Sequence, residues 1–364
     1  MELPKLTVRS LRTTTVSVPM KHVLETSVQT IRSAPLLLLD LETEEGITGH
    51  TYLWCYVPQA AGFIARVLHE LVGIIKGDII RPVRIASKLA RRFRLIGTTG
   101  IIGMALSGLD VVCWDALSVA AAIPLTEFLG GIREPIPAYN SNGLGLTNPD
   151  ACADEAEGLL EGGFRAVKLR LGHPTLAADL AAVRAVRKRL PDSVQIMVDY
   201  NQVLTLKDAI TRSLALDQEG LTWIEEPIRH DDYAGCARLA SEVSTPIQIG
   251  ENFWGPHAME DALYAHAADL VMPDLCRIGG VTGWQVAASL AANAEIKLSS
   301  HLFPELSAHL LAVTPTCHWL EYVDWASPIL AEPFPIVDGK LVAPNRPGTG
   351  VFWNSDVVEK YSVE

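Results

Sequence analysis

The chain has six cysteines but no C-x-x-C pair, and Cys55, Cys113, Cys152, Cys236, Cys276 and Cys317 follow no paired spacing. That excludes a zinc ribbon, and a chain of 364 residues needs no disulfide framework to fold, so a reducing compartment is expected. No Lys/Arg cluster stands out, and 30 basic residues against 42 acidic ones leave a net charge of −12. Nucleic acid and anionic membrane are therefore not expected as partners. The opening residues lack a long apolar core and a small-residue cleavage site, so no leader is expected. The longest apolar stretch, residues 101–124, is interrupted by Asp110 and Asp115 and carries Gly103, Ala105 and Gly108. Charges at a bilayer centre are costly and small residues suit close packing, so it reads as a buried helix of a cytoplasmic, soluble protein. Gly143-Leu144-Gly145 and Gly97, Gly100 and Gly103 lack the strand–turn–helix setting of a dinucleotide site.

Two rhythms are present. Residues 6–18, 35–41 and 46–52 read as strands, the last two joined by a turn at Glu44-Glu45-Gly46, and helical patterns follow at 58–72, 84–93 and 100–122. An antiparallel sheet followed by helices is an α+β unit, placed at residues 1–125. Short apolar runs then alternate with Ala-rich helical segments: 136–140, 166–170, 194–199, 222–225, 246–250, 269–272, 296–300 and 318–322. That spacing predicts an α/β parallel barrel over 126–326 rather than an open sheet. The Pro- and Gly-rich tail, 327–364, is expected to end in a short strand and return to the first unit.

The chemistry gathers where the barrel strands end. Those ends carry Lys168 and Arg170, Asp199, Glu225, Glu251, Asp274, His301 and Glu321, and a parallel barrel collects such ends at one mouth. Asp199, Glu225 and Glu251 lie on three successive ends, and three facing carboxylates need a cation. Hard oxygen ligands suit Mg²⁺, which makes a metal site the better reading than three solvated loop acids. Lys168 and Arg170 share one face of a strand; they meet either an anionic substrate or ion-pair partners across the barrel. Asp274 can fix the tautomer of His301 and make it a general base. His301, Glu305 and His309 are spaced by four, but Pro304 starts the helix after His301 and takes it off that face. Glu321 reads either as an exposed loop acid or as a mouth acid kept neutral by its neighbours, able to donate to an oxyanion.

These residues, with the runs G-F-R-A-V-K, I-M-V-D-Y-N-Q, G-L-T-W-I-E-E-P, R-I-G-G-V-T-G-W and S-S-H-L-F, resemble the mandelate racemase subgroup of the enolase superfamily over nearly the whole chain. The resemblance implies a modified TIM barrel, (β/α)7β, under an α+β capping domain, with Mg²⁺ on Asp199, Glu225 and Glu251. It implies catalysis by Lys168, Arg170, Asp274, His301 and Glu321 on the α-proton of a 2-hydroxy carboxylate, a use of a Lys or His base with Mg²⁺ known for this superfamily. Leu24, Val28, Ile31, Trp54, Tyr56, Ser141 and Asn201 would contact substrate, although the three lid aliphatics could equally pack on the barrel rim. A homo-oligomer, an octamer in related proteins, is also implied. One departure stands out: where the subgroup's namesake has a second lysine, this chain has Arg170. Using a guanidinium as a base near neutrality costs about 7 kcal/mol, so an electrostatic clamp is the cheaper role. The expectation is racemisation of an aromatic or apolar acid, with acid-sugar dehydration by His301 alone as the alternative and a silent metal-binding homologue as a third.

Overall fold

The computed structural model describes residues 3–363. Its first unit is the antiparallel sheet β1 (Val8–Glu25), β2 (Thr30–Thr43) and β3 (Thr48–Trp54), followed by α1 (Pro58–Ile75), α2 (Pro82–Arg92) and α3 (Gly100–Ala120). The strands run further than their apolar cores. β1 and β2 continue as a hairpin past a register shift between Pro19 and Leu24. Gly49 lets α3 lie directly on β3, since a side chain there would strike the Val112 carbonyl and Ala116. α3 is long and apolar enough to cross a membrane, yet it is packed among β3, α1 and the barrel. Its two acids are both engaged. Asp110 accepts from Thr282 N and Oγ1 at 2.9 and 2.6 Å, and Asp115 from His50 N and Thr349 N at 2.7 and 2.6 Å.

A short helix, α4 (Leu125–Phe128), leads into the barrel. Its elements are β4 (Ile136–Asn140), α5 (Pro149–Gly158), β5 (Ala166–Arg170), α6 (Leu176–Arg189), β6 (Gln195–Asp199), α7 (Leu206–Leu216), β7 (Ile224–Glu225) and α8 (Tyr233–Glu242). Then come β8 (Ile247–Ile249), α9 (Pro256–Tyr264), β9 (Leu270–Val271), α10 (Leu275–Ile278), α11 (Gly280–Asn293), β10 (Lys297–Leu298), α12 (Pro304–Leu311) and β11 (Leu320–Tyr322). Neighbouring strands pair in parallel from β4 to β10, and β11 pairs with β4. The last seam closes through the Leu298–Cys317 bridge and the bond from Ser300 N to the Trp319 carbonyl. Tyr139, Ala166, Met197, Trp223 and Leu270 plug the interior and give the mouth a dry floor.

Two expectations need correcting. The tail does not end in a strand: β12 (Ile336–Val337) and β13 (Lys340–Leu341) form a hairpin on β4, and the chain finishes in α13 (Ser355–Tyr361). Asn354 caps that helix by accepting from Val357 N, and Val357, Val358 and Tyr361 pack on the core. The tail reaches the first unit through Trp353 Nε1, 2.7 Å from Asp40 Oδ1, and Val363 N, bonded to the Thr15 carbonyl at 3.0 Å. There is also a basic cluster. Arg81, Arg84, Lys88 and Arg91 line a surface groove of about 660 Å³ on α2, helical spacing having hidden them from a search for contiguous runs.

Candidate active site

β6 ends on Asp199, β7 on Glu225, and Glu251 lies just past β8. The registers Arg170–Asp199 and Asp199–Glu225 put the first two at one height in the mouth. Gly250, at φ +138°, turns the chain where a side chain would meet Phe253 and the Met272 amide. One oxygen of each acid lies within 4.8 Å of the others, and all three residues are buried. Burial, opposed by Lys168 and reinforced by Asp199, Glu321 and Glu251, pushes the Glu225 carboxyl up to about 8. Burial raises Asp199 as well. Glu251 is lowered, burial being outweighed by His301, Arg277 and Lys168. An all-carboxylate donor set that penalises its own charges fits a hard dication such as Mg²⁺.

Lys168 stands among these acids with Nζ 2.6 Å from Glu225, 2.8 Å from Glu321 and 3.7 Å from Asp199. Burial opposes its charge, but the carboxylates prevail and hold it well above its ordinary value. Beneath, Trp223 Nε1 donates to Glu225 at 3.0 Å. Glu321 departs from expectation. Its carboxyl accepts from Ser141 Oγ at 2.6 Å and from Leu302 N at 2.7 Å, besides facing Lys168. Burial would raise it, but Lys168, His301 and the Ser141 hydroxyl draw it below the usual carboxylate range, opposite in direction to the rise expected from its acidic neighbours.

Across the mouth, His301 Nδ1 meets Asp274 Oδ2 at 2.7 Å, and the two residues form a parallel bridge. Asp274 is fixed in turn by the Cys276 amide at 2.6 Å. His301 Nε2 faces inward, 3.3 Å from Glu251 and 3.9 Å from Glu321. Burial lowers this imidazole, but Glu251, Glu321 and Asp274 outweigh it and push it up to about 9. It can therefore act as a base near neutrality only once those carboxylates engage another cation. Glu305 bonds Tyr52 and His309 bonds Thr126, so neither joins His301.

A cavity of about 230 Å³ opens above, between the β1–β2 hairpin, the β3–α1 loop and the barrel. Leu24, Val28, Ile31, Trp54, Tyr56 and Asn201 line it with Lys168, Arg170, Asp199, Glu251, His301 and Glu321. Leu24 is buried, Ile31 half-buried and Val28 exposed at the hairpin tip. Glu225 and Asp274 are absent from this lining, and so is Ser141. The Ser141 hydroxyl donates to Glu321 and accepts from Arg170 Nη2 at 3.0 Å, so it links two charged residues at the base of the cavity. Asn201 holds Asp199 through its backbone and side-chain nitrogens at 2.8 and 2.9 Å. Arg170 Nη1 donates to the carbonyls of Ser141, Gly143 and Lys168 at 2.8, 3.3 and 3.3 Å.

Sequence reasoning passed over Trp325, which stacks on Trp54 at 4.5 Å and extends the aromatic wall. It also passed over Glu226 and Arg277. Glu226 is buried at φ +35°, with Oε2 accepting from Asn252 at 2.8 Å. Arg277 lines the cavity beside Glu251. The signals were present as a second acid in W-I-E-E-P and a lone charge in an apolar, Gly-rich run after Asp274.

The sequence matches the family "Mandelate racemase / muconate lactonizing enzyme, N-terminal domain" over residues 9–130 and "Enolase C-terminal domain-like" over 151–357. A 3,6-anhydro-alpha-L-galactonate cycloisomerase of Streptomyces coelicolor is 34% identical over 87% of this chain and 88% of its own. An L-talarate/galactarate dehydratase of Salmonella typhimurium is 31% identical over 90% and 83%. The crystal structure of a Bradyrhizobium enolase complexed with magnesium and mandelic acid superposes with TM-score 0.94 at 40% identity, covering 100% of both chains. With the carboxylate cluster, the barrel mouth and both domain matches in agreement, the chain belongs to the Mg²⁺-dependent enolase superfamily, in its mandelate racemase/muconate lactonizing enzyme group.

Proposed function

We propose that this enzyme removes the α-proton of a 2-hydroxy carboxylate with His301 as its single acid/base, and that the preferred outcome is dehydration to a 2-keto acid. The observation that carries this reading is the commitment of Arg170. A guanidinium donating to three backbone carbonyls is anchored in its charged form, which suits a clamp and leaves the second face of the substrate without a base. Asp199, Glu225 and Glu251 would hold Mg²⁺, which supplies Lewis-acid neutralisation of charge developing on the substrate carboxylate. Lys168 adds a fixed positive charge at the same place, held by Glu321 and Glu225. His301 Nε2 takes the α-proton, and the electron pair moves into the carboxylate to give an enediolate. The same imidazolium then returns the proton to a departing β-hydroxyl. Water leaves, and the resulting enol tautomerises to the keto acid.

Racemisation of an aromatic 2-hydroxy acid is the second reading, favoured by the wall of Trp54, Tyr56 and Trp325 and by the mandelic acid bound to the Bradyrhizobium relative. Proton NMR in D₂O with Mg²⁺, over both mandelate enantiomers and a panel of sugar acids, separates the two. A keto acid from a polyol, with mandelate inert or exchanging in one enantiomer only, is expected. Deuterium entering with inversion from either mandelate enantiomer would overturn the one-base reading. The same proposal keeps a capping unit over 1–125, a barrel over 126–326 and a returning tail over 327–364, in a homo-oligomer. Six unpaired cysteines support a reducing, cytoplasmic setting.

A further inference from the structure

We propose that Arg277 is a positioning residue that ties the lid over the cavity to Glu251, so that lid closure and Mg²⁺ affinity are linked. The inference rests on the reading of Asp199, Glu225 and Glu251 as the Mg²⁺ ligands.

Arg277 belongs to α10, the short helix that Asp274 caps, and its side chain is 8% exposed. Nη1 donates to the Glu251 carbonyl at 3.0 Å and to Asn252 Oδ1, and lies 3.8 Å from Glu251 Oε1. Asn252 Nδ2 in turn bonds Glu251 Oε1 at 3.2 Å and Glu226 at 2.8 Å. One nitrogen of the guanidinium therefore fixes the backbone, the neighbour and, more loosely, the carboxylate of the third acid. Its Nε is buried with no partner, so hydrogen bonds secure only part of the group.

Two aromatic rings complete the clamp. The guanidinium carbon lies 4.5 Å from the centroid of Tyr56 and 5.5 Å from that of Trp254. Trp254 follows Glu251 on the barrel, whereas Tyr56 belongs to the loop between β3 and α1. Tyr56 sits at φ +59°, a conformation that an L-residue keeps only when its surroundings hold it. Its carbonyl lies 3.5 Å from Gln29 Nε2 at the tip of the β1–β2 hairpin, and its hydroxyl 3.5 Å from Asp274 Oδ2. The path runs from hairpin to Tyr56 to Arg277 to the Glu251–Asn252 backbone. An open lid removes one ring from the guanidinium and loosens the acid that it positions. By linkage, Mg²⁺ bound to the ordered acid favours the closed lid by the same factor.

Charge alone predicts no change in Mg²⁺ affinity for variants that keep a cation beside Glu251, so they isolate the positioning role. The test is calorimetric titration with MgCl₂ of the wild type, Arg277→Lys, Tyr56→Phe and Tyr56→Leu, with folding checked by circular dichroism. Lysine keeps the charge but loses the fork and the stacking plane, and Mg²⁺ affinity should fall about tenfold, as for other groups that orient metal ligands. Tyr56→Phe keeps the ring and should stay within about twofold, while Tyr56→Leu should lose about threefold. Wild-type affinity in Arg277→Lys, or equal affinities in the two Tyr56 variants, overturns the inference while leaving the metal site standing. A wild type that binds no Mg²⁺ removes the metal-site reading and the inference with it. Should Arg277→Lys not fold, the Tyr56 pair decides alone.

Discussion

Replacing Lys168 by methionine keeps the length and bulk of the side chain but removes the one ammonium in contact with Glu225, Glu321 and Asp199. Lys168 is 1% exposed and all three partners are buried, so water cannot take its place. Breaking a buried ionic cluster by deleting one partner costs about 3–5 kcal/mol, most of it the penalty on the charges left behind. At about 1.3 °C per kcal/mol for a chain of this size, the melting temperature in EDTA should fall by about 4–7 °C. Mg²⁺ should then recover much of that loss. A native state holding the ion at about one hundred times its Kd gains about 2.7 kcal/mol. In the variant Mg²⁺ meets the same acids with no ammonium competing, so its gain should exceed that of the wild type. Differential scanning calorimetry of both proteins, with EDTA and with saturating MgCl₂, measures the four melting temperatures. The gap between variant and wild type should be large in EDTA and less than half as large in Mg²⁺. An equal gap in both conditions, or none in EDTA, would refute the view that Lys168 and a dication share the neutralisation of these carboxylates.

Three further outcomes are expected. His301→Asn should lower α-proton exchange by about 10²–10⁴-fold, followed by NMR in D₂O, and full exchange would move the base to Lys168 or Arg170. Arg170→Lys exchanges a planar fork for an ammonium that cannot serve all its acceptors; stability should fall by about 1–3 kcal/mol in urea titrations, with exchange appearing from the second enantiomer. Persistent one-sided exchange in that variant would show that absence of a lysine is not what limits the site. Burial pushes His309 down to about 4. Its neutral form is favoured on folding, so the contribution is intact above its unfolded value of about 6.5 and is lost as the pH falls towards about 4, costing about 3 kcal/mol. Urea midpoints at about pH 7 and pH 5 should show about 2 kcal/mol of this loss, and a His309→Asn variant should show a shallower dependence.

The barrel and its acids were legible because both follow a period. A strand every 20 to 30 residues ending in a charge needs no tertiary information, and Lys168, Asp199, Glu225 and His301 were found in that way. What escaped depends on contacts between distant segments. Arg277 and Trp325 gain their meaning from Tyr56 and Trp54, which approach only when the first unit docks on the barrel. Ser141 is similar: its hydroxyl bonds Glu321 and Arg170, a pairing that no spacing reveals. For Glu321 a count of nearby acids omits the donors, and Lys168, Ser141 and the Leu302 amide, which act against the expected rise, come from distant segments. α13 was missed because a single capping Asn354 started a helix in a segment too short for periodicity to speak.

The late return of the tail bears on the order of synthesis. Asp115 and Asp40 are made early and buried beside His50, yet their further donors, Thr349 and Trp353, come only with the tail, as does Val363 for Thr15. A nascent chain halfway through translation thus holds a first unit whose acids have His50 and Arg12 but lack their last donors, and whose docking surface for the barrel is bare. The final few dozen residues act as a fastening threaded through both halves after the rest has been made. Until they clear the ribosome the two units are held only by the connecting chain and by bonds such as those of Asp110 with Thr282 and Tyr52 with Glu305, and that interval is when a chaperone would have most to protect.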